Sequence, residues 1–147
     1  MIISKRKIAM FSHVTVGSSN LVKSTDFYNA VSTPVGLIQR AVIPDGGPLS
    51  SCWVVEGTAL PRFYVYEPFN GDPMSVGNGS MIAFLAPSQE AVKLAFSEGI
   101  EKGGTSCGKP GPRPRYGEGY FGAYILDPDG NKIHLVYRGD VIKTCDP

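Results

Sequence analysis

The stretch from Tyr124 to Tyr137 constrains the fold more than any other. At its centre stands Asp127-Pro128-Asp129-Gly130-Asn131, flanked on both sides by runs that favour strands. The proline fixes one φ, the glycine accepts a positive φ, and the chain must reverse there, which predicts a strand, a tight turn and an antiparallel strand. In the second run Ile133, Leu135 and Tyr137 share one face, while His134, Val136 and Arg138 share the other. An imidazole therefore points away from the greasier side. The only other histidine, His13, lies in an equally strand-like run over residues 8–16. There Ile8, Met10, Ser12, Val14 and Val16 share one face, opposite Phe11, His13 and Thr15. Strands near the two ends thus each present a single histidine on their less aliphatic side.

Between those ends one order of elements occurs twice. After the first strand, Asn20 or Ser19 caps a helix whose positions Leu21, Thr25, Tyr28 and Val31 recur at helical spacing, and Pro34 stops it. Strand-like runs follow over 35–43, 50–56 and 61–67, separated by turns at Asp45-Gly46-Gly47-Pro48 and Gly57-Thr58. The second half begins with a strand over 80–85. Pro87-Ser88 then opens a helix that runs to Ile100, with Gly103-Gly104 as its stop. Next come a short strand over 105–107, a Pro- and Gly-rich loop over 108–119 and the closing hairpin. Asn20 follows His13 by seven residues, and Ser88 follows Met81 by seven. The halves share a pattern more than residues. Their bounds are 5–70 and 74–140, forming one domain.

Composition narrows the function. A chain of 147 residues can bury one real core. Its net charge of +1 gives no reason to expect nucleic acid or an anionic membrane as partner. No segment is apolar over the length a membrane span requires. The three cysteines, Cys52, Cys107 and Cys145, have no metal-like spacing and read as reduced thiols of a cytoplasmic protein. Walker, dinucleotide-binding, nucleophile-elbow and zinc-cluster motifs are all missing.

Three runs together resemble the vicinal-oxygen-chelate superfamily of glyoxalases, bleomycin resistance proteins and extradiol dioxygenases. They are Phe11-Ser12-His13-Val14-Thr15-Val16, the segment from Gly77 to Phe84, and the segment from Tyr116 to His134. The resemblance implies an α+β fold of two βαβββ modules whose curved mixed sheets form a cup. It also implies a divalent metal held by side chains from the first and last strand of each module. His13 matches the first-strand ligand of module one, and His134 the last-strand position of module two, where the family usually has Glu. Met81 stands where a second first-strand histidine would be, and thioether sulfur is a poor ligand for such metals. The fourth position falls near Tyr64 or Tyr66, with Glu67 adjacent but of opposite parity. The metal would be Zn, Fe, Mn or Ni, completed by Glu67 or a tyrosine, or there is none.

Two functions follow from the resemblance. One is a metal-dependent lyase, isomerase or oxygenase acting on a small oxygenated metabolite. The other is a metal-free protein that binds or sequesters a small molecule in the same cup. Met81, Tyr64 and Tyr66 are then candidate ligand-binding residues. So are Arg113, Arg115, Tyr116 and Tyr120, from a segment whose guanidinium forks suit a carboxylate or phosphate. A solvated surface loop is the plainer reading of that segment. Which residue would be catalytic is not legible. The implied assembly is a homodimer, since open sheets of this size leave edges that subunit pairing covers.

Overall fold

The computed structural model describes residues 10–142. Its first half runs β1 (His13–Gly17), α1 (Leu21–Ser32), β2 (Leu37–Arg40), β3 (Ser50–Val55) and β4 (Arg62–Tyr66). The second runs β5 (Ile82–Leu85), α2 (Gln89–Glu101), β6 (Thr105–Pro112), β7 (Tyr120–Leu126) and β8 (Lys132–Arg138). Each half is one βαβββ module, and each forms an open four-stranded mixed sheet. The strand orders are β1-β4-β3-β2 and β5-β8-β7-β6, with β1∥β4 and β5∥β8 as the parallel pairs. The expected module start at residue 5 and the first part of the run 8–16 lie outside the described residues, as does Cys145. Among the described residues no helix is long and apolar enough to cross a membrane.

Local chemistry sets the helix ends. The Asn20 side chain accepts the Lys23 N–H at 3.1 Å, and Ser88 accepts that of Ala91 at 3.0 Å. Each cap satisfies an otherwise unpaired first-turn donor, worth about 1 kcal/mol. In the closing turn, the Asp127 carboxylate accepts the backbone N–H groups of Asp129 and Asn131, and Gly130 takes φ 94°.

One expectation needs correction. The segment from Gly108 to Pro112 is not loop but a continuation of β6, paired with β7 through two register shifts. As the outer strand, β6 tolerates prolines that lack a ladder donor, and bulges absorb the misfit.

A single core joins the modules. The inner faces of sheet one (Trp53, Phe63, Val65) and sheet two (Ala123, Ile125, Ile133, Leu135) meet Phe27, Tyr28 and Val31 of α1 and Val92 and Ala95 of α2. The helices pack on each other, and Gly99 makes this possible, since a Cβ there would lie 2.7 Å from Val31. Phe63 meets Phe84 edge-on across the junction, their ring centres 5.0 Å apart. Polar contacts pin the same junction. The Tyr28 hydroxyl donates to Asp127 at 2.7 Å, Asn131 donates to the Gly17 carbonyl at 3.0 Å, and Asp129 accepts from Ser19 and Ser24. Because both inner faces turn into this shared core, the opposite face of each sheet, carrying His13 or His134, is turned away from it.

Candidate functional site

On the outer face of sheet one, His13 is exposed, its Nδ1 3.0 Å from the Ser12 hydroxyl and its ring edge-on to Tyr64 at 5.7 Å. Tyr64 and Tyr66 lie 5.5 Å apart, and Arg62 donates to the Tyr64 hydroxyl at 3.1 Å. With Thr15 and Leu60 these residues line an open cavity of about 460 Å³. All of its lining belongs to the first module. Glu67, with Asp45 and Asp72, lines an adjoining cavity that shares Thr15 and Tyr66 with the first.

The outer face of sheet two is built around His134. This imidazole is buried, 1% exposed. Its Nδ1 lies 2.8 Å from the Ala123 carbonyl, which can only accept, so Nδ1 carries the proton. The Nε2 of the neutral ring then accepts the Tyr120 hydroxyl, 2.7 Å away. The ring stacks on Tyr124, centres 4.1 Å apart and planes 10° apart, and lies within 18° of the plane of Tyr120. It leans over Gly122, where any Cβ would collide with Cε1. Burial pushes the His134 pKa below its ordinary value; the hydrogen bond to the Ala123 carbonyl opposes this in part, and the nearby positive charges of Arg113 and Lys132 add to it. Burial also raises that of Tyr120, which keeps the phenol protonated as a donor.

Cations frame this ring group. Lys132 Nζ sits 5.0 Å from the Tyr124 ring centre and the Arg113 guanidinium 5.9 Å from it. Arg138 lies 5.0 Å from the Tyr120 ring centre and pairs with Asp140 at 2.8 Å. Arg115 covers the exposed Tyr116, in a short 3-10 turn (Pro114–Tyr116), at 4.8 Å. Arg113, Tyr120 and His134 are therefore drawn together, with Tyr116 against Tyr120 at 5.3 Å and Arg115 at the outer end. Met81, just before β5, is 43% exposed and lines a cavity of about 520 Å³ with Thr15 and Lys132.

The structure does not bring His13 and His134 to one point within the chain, because they occupy outward faces of two different sheets. Nor do the donors fit a divalent metal. Both His134 nitrogens are engaged, Met81 offers only a thioether, and Glu67 faces another cavity. Among the described residues no group of three or more His, Cys, Asp or Glu could hold an ion. Tyr124, Lys132 and Arg62 escaped the sequence reading. Hairpin parity was the signal for the first two: Tyr124 stands opposite His134 in register, and Lys132 is two residues before it on the same face.

Comparison with known proteins agrees with this architecture. The family described as the Glyoxalase/Bleomycin resistance protein/Dioxygenase superfamily matches residues 10–135. A glyoxalase/bleomycin resistance protein from Albidiferax ferrireducens superposes with a TM-score of 0.75 at 35% identity, covering 88% of this chain and 99% of that one. A lactoylglutathione lyase from Agrobacterium tumefaciens shares the fold at a TM-score of 0.59 and 16% identity, over 90% and 96% of the two chains. A lactoylglutathione lyase of Arabidopsis thaliana is 27% identical over 135 residues, 92% of this chain. The chain spans about half, 46%, of that curated relative's length.

Proposed function

This chain belongs to the glyoxalase, bleomycin resistance protein and dioxygenase superfamily, and we propose that within it the protein is a metal-free binder of a small molecule. The observation that carries this reading is the state of His134. At the position where the family places a metal ligand, both imidazole nitrogens already have partners inside the protein. Recruiting Nε2 to a metal would break the Tyr120 bond and leave a half-buried phenol without its acceptor, at a cost of about 1–3 kcal/mol. Recognition then rests on rings, hydroxyls and cations, the usual means of small-molecule sites. The free thiols of Cys52 and Cys107 support a reducing, cytoplasmic setting.

The outward-turned faces favour assembly as a homodimer. The His13 face of one copy and the His134 face of another would close a cup that a single chain leaves open. Such pairing also keeps a second reading in view, a metal-dependent lyase, isomerase or oxygenase with its site completed between subunits. The likeness to lactoylglutathione lyases is what favours that reading.

Metal analysis of protein purified without a chelating tag separates the two. The binding reading expects far less than one divalent ion per chain, unchanged by His13→Ala. One ion per chain, lost on His13→Ala, would contradict it.

A further inference from the structure

Lys132 and Arg113 place two positive charges near one phenol, and among the described residues neither has a carboxylate within salt-bridge distance. Among the described residues the salt bridge is Arg138–Asp140, and neither Lys132 nor Arg113 takes part in it. The Tyr124 hydroxyl likewise has no hydrogen-bond partner among the described residues, although its ring lies between the two cations and His134.

Arg113 is not a loose surface arginine. It is half-buried, and it donates to the Lys109 carbonyl at 2.8 Å and the Pro112 carbonyl at 3.3 Å, which fixes the guanidinium. Two glycines make room for it: a Cβ at Gly111 would lie 3.1 Å from Nη1, and one at Gly108 would lie 3.0 Å from the Tyr124 ring. The bulged, glycine-rich course of β6 thus lets the guanidinium fold back toward Tyr124 with N–H groups to spare. Such a fixed fork loses little entropy when it meets an oxyanion. Register puts an apolar strip on β5, the opposite edge of the sheet from β6, beside Lys132 and across β8 from Tyr124. Ala83 lies opposite His134 across β5 and β8, and Met81 and Leu85, on the same side of the strand, are both exposed.

We propose that Arg113, Lys132 and the Tyr124 hydroxyl form an oxyanion subsite that takes the carboxylate or phosphate of a small organic acid, whose apolar body lies along Met81, Ala83 and Leu85. This rests on the metal-free binding reading and names the chemical class of its ligand. Two charge-assisted contacts and one phenol donor give the anion its preference over a neutral isostere. Arg115, out over Tyr116, plays no part in the subsite.

The test is calorimetric titration of chelator-treated full-length protein with phenylacetate, benzyl phosphate and neutral phenylacetamide. At least one of the anions should bind about tenfold more tightly than the amide, a difference of about 1.4 kcal/mol. The better of the two anions identifies carboxylate or phosphate as the head group. Arg113→Gln and Lys132→Gln should each remove most of that preference, while Arg115→Gln keeps it. All three variants should keep the parent's circular dichroism and melting temperature. Acid and amide binding alike, no binding of either anion at concentrations on the order of 10 mM, or a preference that survives both substitutions overturns the subsite. Anion binding that appears only when a divalent metal is restored overturns the metal-free reading instead.

Discussion

His134 shows how one small neighbour decides what a functional-looking residue can do. Strand parity in the sequence puts its side chain on the outer face of sheet two, and there it lies. Parity says nothing about Gly122, which sits diagonally across on β7 and leaves the space into which the ring leans. A larger residue there would meet the imidazole and force it to shift. As it stands, burial holds the folded-state pKa below the usual 6.5, opposed in part by the Nδ1 hydrogen bond to the Ala123 carbonyl and helped by the charges of Arg113 and Lys132. The consequence for stability has a definite sign. As pH falls below about 6.5 the unfolded chain takes up a proton at this residue before the folded chain does, so stability drops with falling pH. One such group contributes a slope of up to about 1.4 kcal/mol per pH unit, until the folded-state pKa is reached. Urea unfolding as a function of pH should show that slope in the parent, reduced by up to that amount in His134→Gln. Equal slopes in both proteins would mean that the imidazole is free to protonate in the fold.

At the scale of elements, most of the architecture was readable, and the reasons are local. Asn20 and Ser88 cap the helices as their side chains suggest, and Asp127 to Asn131 makes the turn its residues favour. The misreading of β6 has an equally local cause: Pro110, Pro112 and the glycines argue against a strand interior, and only an outer position permits them. The role of Asp127 beyond its turn was not legible, because its partner comes from 99 residues away. Asp127 is buried, and its carboxylate accepts the Tyr28 hydroxyl, the Asn131 amide and two backbone N–H groups. Burial, and then the charge of Asp127, raise the Tyr28 pKa well above normal, so this phenol is always the donor. Asp127→Ala would leave the buried Tyr28 hydroxyl and three part-buried N–H donors without acceptors and should cost about 3 kcal/mol or more. Tyr28→Phe, which removes donor and demand together, should cost closer to 1 kcal/mol. Chemical denaturation of the two variants checks the order, and a loss for Tyr28→Phe equal to that for Asp127→Ala would contradict the junction role given to the carboxylate.

At the scale of the molecule, the duplicated βαβββ order was legible because it is written as two runs of local signals. The relation between the halves was not, because it depends on which faces meet. Here the inner faces of both sheets and both helices meet in one core. The faces that carry the histidines then look outward, and the two histidines do not share one point in a single chain. A homodimer that opposes those faces is the expected assembly, and sedimentation at micromolar concentration should return twice the chain mass; a monomer throughout would contradict it. On the binding reading, His134 belongs to the protein's own ring group and is closed to metal. Long-range proton–nitrogen NMR of the imidazoles tests it most directly, since only two histidines contribute signals. The expected spectrum is that of a neutral His134 with its proton on Nδ1 and Nε2 accepting a hydrogen bond, unchanged when zinc or nickel is added. A His134 Nε2 signal that shifts to a metal-bound value on addition of either ion would contradict it.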